Sequence, residues 1–272
     1  MAVAAPAGTG RVAVERGRTR SVVTRAFASS PLRLLTPANH GHAAWIYSSS
    51  YGGGLVDGDA VDMDLRVGAG AAAYFSTQAS TKVYRSPRGT SSGLRGRVGS
   101  GGLLVVAPDP VVCFADARYR QVQRFEVDSG GSLAVLDCLL SGRQAAGERW
   151  AFIEYRSLIE VTIGGRLLVH DATALLAADG NLAARFGRFD VLAVAVLAGD
   201  AFRSEAAALM AAAARQPVTR RPDLLLAVSP LGDDGCLVRA AGTSVEQVGR
   251  TLREHLRCIP ALLGDDPWRR KW

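Results

Sequence analysis

The chain has 272 residues, 32 basic against 25 acidic, for a formal net charge of +7. Hydrophobic residues make up 48% and charged ones 21%, which excludes a disordered chain, since such a chain buries too little apolar surface to offset the entropy of ordering. Glycine lacks a three-residue period and four cysteines are too few for a stapled scaffold, so collagen-like and disulfide-framework classes fall away too. The length suits one large domain or two small ones, with ample residues for a core, and we read a single domain over 1–272.

Only Lys82 and Lys271 are lysine, so the positive charge is almost all arginine. No zinc-finger spacing, RNP-type aromatic strand or basic region leading into heptads accompanies it, and a nucleic-acid partner is not expected. The first ten residues carry no apolar stretch of signal-peptide length, and the longest apolar run, Val191 to Ala198, is too short to span a bilayer. Cys113, Cys138, Cys236 and Cys258 are scattered among apolar neighbours without metal or redox spacing. A reduced, cytoplasmic protein with no membrane partner is the expectation.

Residues 1–30 are expected to be a flexible N-terminal part. From about Arg11 to Glu160, short alternating runs with recurrent glycine punctuation predict β structure. Asp57-Gly58 suits a two-residue hairpin turn, after which Val61, Met63, Leu65 and Val67 share one face of a strand. Gly68-Ala69-Gly70 ends that strand, and Ala71 to Val83 reads as the next. Residues 86–102, rich in Gly, Ser and Arg, read as a polar loop or hairpin tip. Further strands fit Leu103–Ala107, Tyr119–Val127, Ser132–Leu139, Ala151–Ile163 and Arg166–His170. In the last third, Asp190 to Ala198 predicts an apolar strand, and Ser204 N-caps an Ala-rich helix to about Arg215. Leu224–Val228 and Cys236–Ala240 form a strand pair across a Gly-Asp-Asp-Gly turn. Thr243 to Glu246 is a capping box, opening a helix with Val245, Val248, Leu252, Leu256 and Ile259 on one stripe until Pro260 stops it. No repeat of fixed period is found. The fold class is mainly β, a coiled, β-helix-like or sandwich-like multi-stranded body, with two α-helices in the C-terminal region.

Two text motifs fail on their context. Gly68-Ala69-Gly70-Ala71-Ala72-Ala73 spells a dinucleotide fingerprint, but strand-forming Tyr74-Phe75 follows where a helix is required, so it is a turn between strands. Gly89-Thr90-Ser91-Ser92-Gly93 spells a nucleophile elbow without the flanking strand and helix or an evident base. His40-Gly41-His42 would present two imidazoles on one face if it lay in a strand. His170-Asp171 is a pair without an obvious third partner. Asp57, Asp59, Asp62 and Asp64 crowd one stretch, where oxygen ligands suit hard or borderline cations at most weakly. Asp137 sits in the apolar run Leu133 to Leu140, where an acid must find a partner, and Arg143 or Arg149 is the expected one.

The stretch Gly52 to Asp59, then Val67 to Ala71 and Thr77 to Ser86 (with Thr81-Lys82-Val83-Tyr84-Arg85-Ser86), resembles the urease accessory protein D family (UreD, also called UreH). Leu136-Asp137, Ser141-Gly142-Arg143 and Gly147 to Phe152 extend the resemblance, and it returns faintly at Leu237-Val238-Arg239 and after Thr243. It covers about Leu32 to Leu263. It implies a cytoplasmic, non-catalytic scaffold that joins UreF-type and UreG-type accessory proteins to apo-urease and helps deliver nickel through an internal polar route. It also implies no tightly bound cofactor, nickel being held only transiently. Asp59 and Asp62 then become transient nickel contacts, with Asp137 and Glu148 as further candidates. Lys82, Tyr84, Arg85, Leu252 and Leu256 become partner-binding candidates. The competing reading is a β-rich hydrolase or lyase using His170/Asp171 or the crowded carboxylates.

Overall fold

The computed structural model describes residues 8–217 and 219–269. Its centre is a coil in which consecutive strands alternate between two sheets. Strand β4 (Ala44–Ser50) lies in the second sheet, β5 (Ala60–Val67) in the first, β6 (Ala72–Thr77) in the second and β8 (Thr90–Val98) in the first. The alternation continues through β9 (Leu103–Val106), β11 (Arg118–Val127), β12 (Ser132–Leu140) and β13 (Glu154–Ile163). Neighbours within each sheet are therefore parallel: β5, β8, β11 and β13 in one, β4, β6, β9 and β12 in the other. Short strands β7 (Thr81–Val83) and β10 (Val111–Cys113) pair beside the coil.

Antiparallel strands flank the coil. On one side β1 (Thr9–Arg16) runs parallel to β5 and pairs with β2 (Ser21–Ala28), while β3 (Leu32–Leu35) pairs with β4. On the other side β14 (Arg166–Leu176) closes the first sheet. β15 (Val191–Gly199), β17 (Gly235–Gly242) and β16 (Leu224–Pro230) extend the second. Helices α1 (Leu182–Phe186), α2 (Arg203–Ala214), α3 (Val245–His255) and α4 (Cys258–Leu263) complete the described residues. None of the described helices is long and apolar enough to cross a membrane.

The first-sheet residues Val12, Leu65, Phe125 and Val161 meet Phe75, Val106, Val135 and Val196 of the second in one buried cluster. The outer side of the second sheet is covered by α2, α3 and α4, burying Trp45, Tyr74, Phe202, Leu256 and Ile259. Residues alternate in and out along β11 and β13 of the first sheet, and in β11 Tyr119, Gln121, Gln123, Phe125 and Val127 are buried.

Several sequence expectations are corrected. Asp57-Gly58 is a turn with Gly58 at φ +88°, yet it joins no hairpin: β4 and β5 belong to different sheets, so it is a corner of the coil. Gly70, Gly101 and Gly130 occupy stacked corners, tied by Gly70 N–H to Ser100 and Gly101 N–H to Gly130 carbonyls. They recur about 30 residues apart, a spacing that the unequal connections hide in the sequence. The expected loop over 86–102 holds β8, paired on both sides. The expected flexible part at 1–30 contains β1 and β2, held in register with each other and with β5; residues 1–7 lie outside the described residues. Helix α2 starts at Arg203 without a side-chain cap, so Ser204 does not cap it. The N-cap of α3 is Ser244 and not Thr243: its Oγ accepts from Gln247 N–H and donates to Glu246, so the expected capping box is shifted by one residue and does not close, and α3 ends at His255. Pro260 sits in the first turn of α4, where a missing N–H costs nothing.

Candidate functional site

Inward positions of β11, β12 and β13 converge on Asp137. Apolar residues precede it on the inner face of β12, Leu133 and Val135, and Leu139 follows. Asp137 itself is buried, and no cation among the described residues pairs with it. The Gln121 side-chain amide donates to Asp137 Oδ2 and to Ser157 Oγ (2.9 Å), and Ser157 Oγ donates to Asp137 Oδ2 at 3.3 Å. The Gln121 amide nitrogen also lies 3.1 Å from the Tyr155 hydroxyl. Farther along, Ser92 and Tyr119 share a 2.6 Å hydroxyl–hydroxyl hydrogen bond.

Burial pushes the Asp137 carboxyl up to about 6, and hydrogen bonds from Ser157, Gln121, Tyr155 and the Cys138 backbone oppose the rise. Burial also raises the Tyr119 and Tyr155 phenols and holds the Cys113 thiol at about 12, so these groups stay protonated at neutral pH. Asp137 lines two cavities. One, of about 180 Å³, runs past Gln121, Gln123, Thr77 and Thr81 to the Ser48–Ser50 end of β4. The other, of about 60 Å³, is bounded by Ser157, Thr173 and Asp171. Gln123 Oε1 is buried with no hydrogen-bond partner among the described residues. The two cavities thus place the Asp137 carboxylate on a seam of neutral amide and hydroxyl oxygens set among apolar residues, with Asp109 also lining the first and Asp171 the second, an arrangement able to hold a small cation loosely.

The expected arginine partners of Asp137 are engaged elsewhere. Arg143 pairs with Glu148, and Arg149 pairs with Asp190 and caps the Gly187 and Phe189 carbonyls. Glu148 also accepts from Ala115 N–H, and Arg143 holds its carboxyl below the usual range. Asp59 closes its own turn, accepting from Val56 N–H at 2.8 Å. Asp62 is exposed on the outer face of the first sheet, opposite Gly93. Asp57 accepts from the backbone and guanidinium of Arg88, and the latter hydrogen bond is the main cause of its lowered pKa. The four nickel candidates thus do not gather, and among the described residues no three His, Cys, Asp or Glu side chains form a metal-holding group.

Lys82 is exposed on β7, Arg85 lies 3.8 Å from Asp116, and Tyr84 packs edge-on to Phe114, whose ring also carries the Arg143 guanidinium. Leu252 and Leu256 are no surface for a partner: α3 turns its apolar stripe onto the second sheet and buries both. His170 lies 3.1 Å from Glu160 on the outer face, whereas Asp171 pairs with Arg239, so these neighbours point apart and form no dyad. His40 and His42 lie in a bend before β4, where strand alternation does not apply. All four cysteines are free thiols. Sequence reading passed over Gln121, Gln123, Tyr155 and Ser157. The signal was available at Tyr119-Arg120-Gln121-Val122-Gln123, where the alternation puts glutamines on the face that Phe125 and Val127 bury.

A family model described as UreD urease accessory protein matches residues 7–272. The urease accessory protein UreD of Sorangium cellulosum is 51% identical over 269 residues, 99% of this chain and 86% of that protein. Urease accessory protein D of Oryza sativa subsp. indica is 36% identical, covering 97% and 96% of the two chains. That of Arabidopsis thaliana is 34% identical, covering 96% and 99%.

Proposed function

Because this chain belongs to the UreD urease accessory protein family, we propose that it is a non-catalytic, cytoplasmic scaffold of urease maturation that passes nickel through its interior. In this reading it joins UreF-type and UreG-type accessory proteins to apo-urease. Nickel is its cargo, held transiently and never as a resident cofactor.

The observation that carries the interior route is Asp137, a buried carboxylate without a cationic partner that lines both cavities. A purely structural buried acid is normally paired, because an uncompensated charge in a dry interior is costly. Here the compensation comes from a proton or from a cation in transit. The Asp137 carboxylate among amide and hydroxyl oxygens binds a borderline ion weakly enough to release it, which a cysteine–histidine cage would not. Asp59, Asp62 and Glu148 are set in separate places and would act before or after this passage. Lys82 and Arg85, exposed beside the coil, are the remaining partner contacts in this reading.

Co-expression with urease subunits and the other accessory proteins tests the proposal. The four-component mixture should give a co-purifying complex and active, nickel-containing urease at limiting nickel. Omitting this chain should leave the urease inactive. An Asp137→Ala chain should still co-purify but load less nickel. Full activation without the chain would sink the maturation role, and full activation with Asp137→Ala would sink the interior route alone.

A further inference from the structure

The outer face of the first sheet, away from the cavities and from the helices, carries a trough that crosses the strands. Its floor is a row of small or aliphatic residues in register, Gly93 on β8, Val122 on β11, Leu158 on β13 and Ala172 on β14. Its walls are arginines two positions to either side: Arg95 and Arg124 along one bank, Arg120 and Arg156 along the other. Near β5 it deepens into an open concavity of about 580 Å³ that also takes in Arg11, Asp62 and Asp64.

Most arginines of this face are already matched. Arg66 pairs with Asp64, Arg97 with Glu126, Arg118 and Arg156 with Glu154, and Arg124 with Glu160. Arg11, Arg95 and Arg120 have no ion-pair partner among the described residues, and they surround the deep end of the trough. Unmatched guanidiniums beside an apolar floor call for carboxylates attached to something apolar.

We propose that this trough docks an acidic, amphipathic segment of a protein partner, with apolar side chains over Val122 and Leu158 and carboxylates forked onto Arg95, Arg120 and Arg11. Guanidinium and carboxylate match bidentately. A continuous phosphate backbone fits less well, because Asp62, Asp64, Glu126 and Glu160 are interspersed through the same face. Strands lie about 4.8 Å apart, so the floor from β8 to β14 spans roughly 14 Å and the concavity by β5 adds about 5 Å more. An extended chain rising about 3.3 Å per residue covers that with about six residues. The proposal gives the scaffold reading a surface and rests on that reading only in expecting a protein as occupant.

The test uses the full chain and a fluorescein-labelled octapeptide of alternating Glu and Leu, read by anisotropy without urease or other accessory proteins. Its failure therefore leaves the maturation role standing. The Arg95→Glu, Arg120→Glu double variant should bind about tenfold more weakly or worse. Arg18→Glu, Arg20→Glu at the exposed β1–β2 turn makes the same change in net charge and should bind like the parent. Val122→Trp, which fills the floor without touching charge, should also weaken binding, and thermal melting confirms that each variant folds. Should the double reversal fail to fold, Arg95→Gln with Arg120→Gln replaces it. Equal loss in both charge-reversal variants, or no effect of Val122→Trp, would overturn the proposal. So would tighter binding of a duplex DNA of equal charge to the same arginines.

Discussion

Strands β11 and β12 face each other across the interior, and their two ends are built differently. Near the turn that joins them, Phe125 and Val127 meet Leu133 and Val135 in a closed apolar cluster. Two positions farther, Gln121 and Gln123 meet Asp137 beside two cavities. The backbone, sheet partners and alternation are the same at both ends, so the difference lies in side-chain chemistry alone. Packing alone would favour continuing the apolar series, since buried polar groups contribute less than well-packed hydrocarbon. The polar end therefore lowers stability, and it is the end that the proposed function uses.

The comparison is tested most severely at the apolar end. Phe125→Ala removes a fully buried ring that also rests on Gly96, where any added side chain would strike it. It should destabilise the chain by about 3–5 kcal/mol in denaturant unfolding. A loss well under that would mean the apolar end is not the anchor of the body.

Asp137→Asn reads the polar end with the opposite sign. The carboxyl goes from 3.8 unfolded to about 6 folded, so the native state binds the extra proton between those values. Stability contributed by this group therefore falls as pH rises from about 4 to about 6 and stays low above. The neutral variant should escape that loss and be more stable than the parent at pH 7.5, by about 3 kcal/mol, with the gap closing near pH 4. Equal stability of the two chains at pH 7.5 would show that the acid is compensated in a way the interior geometry does not provide. The stabilised variant is also expected to pass less nickel.

Much of this contrast was legible in the sequence, and what was missed has physical causes. The inward face of β5 follows from period-two alternation, and the strands over Leu103–Ala107 and Ser132–Leu139 from apolar runs buried on both faces; such a pattern reports burial. It does not report which strand lies alongside, so Asp57-Gly58 reads as a hairpin although the chain crosses to the other sheet. β8 was obscured because Ser91, Gly93, Arg95 and Arg97 face outward and the inward Gly96 leaves room for the Phe125 ring. An apolar signal is absent where a neighbour supplies the bulk. Asp137 stood out as an acid in an apolar run, but its partners come from neighbouring strands and not from the nearest arginines. The α3 stripe was likewise visible as a face, while whether the chain's own sheet or a partner covers it depends on tertiary packing.

The finest test of the contrast is Gln123, which lies between the two ends. Its amide is buried beside Phe125, and Oε1 accepts no hydrogen bond. A buried acceptor left unmatched forfeits its hydration, so replacing the amide by hydrocarbon of similar length should be nearly neutral or stabilising. Gln123→Met keeps the volume and adapts its rotamer to the gap. The expected change is a gain of up to about 1 kcal/mol by denaturant unfolding, with diminished nickel passage in the activation assay because one oxygen leaves the seam. If the oxygen instead holds an ordered water that ties it to Asp137, the same substitution would destabilise the chain by a similar amount. The sign of this small effect thus places the boundary between the two regions, on one side of Gln123 or the other.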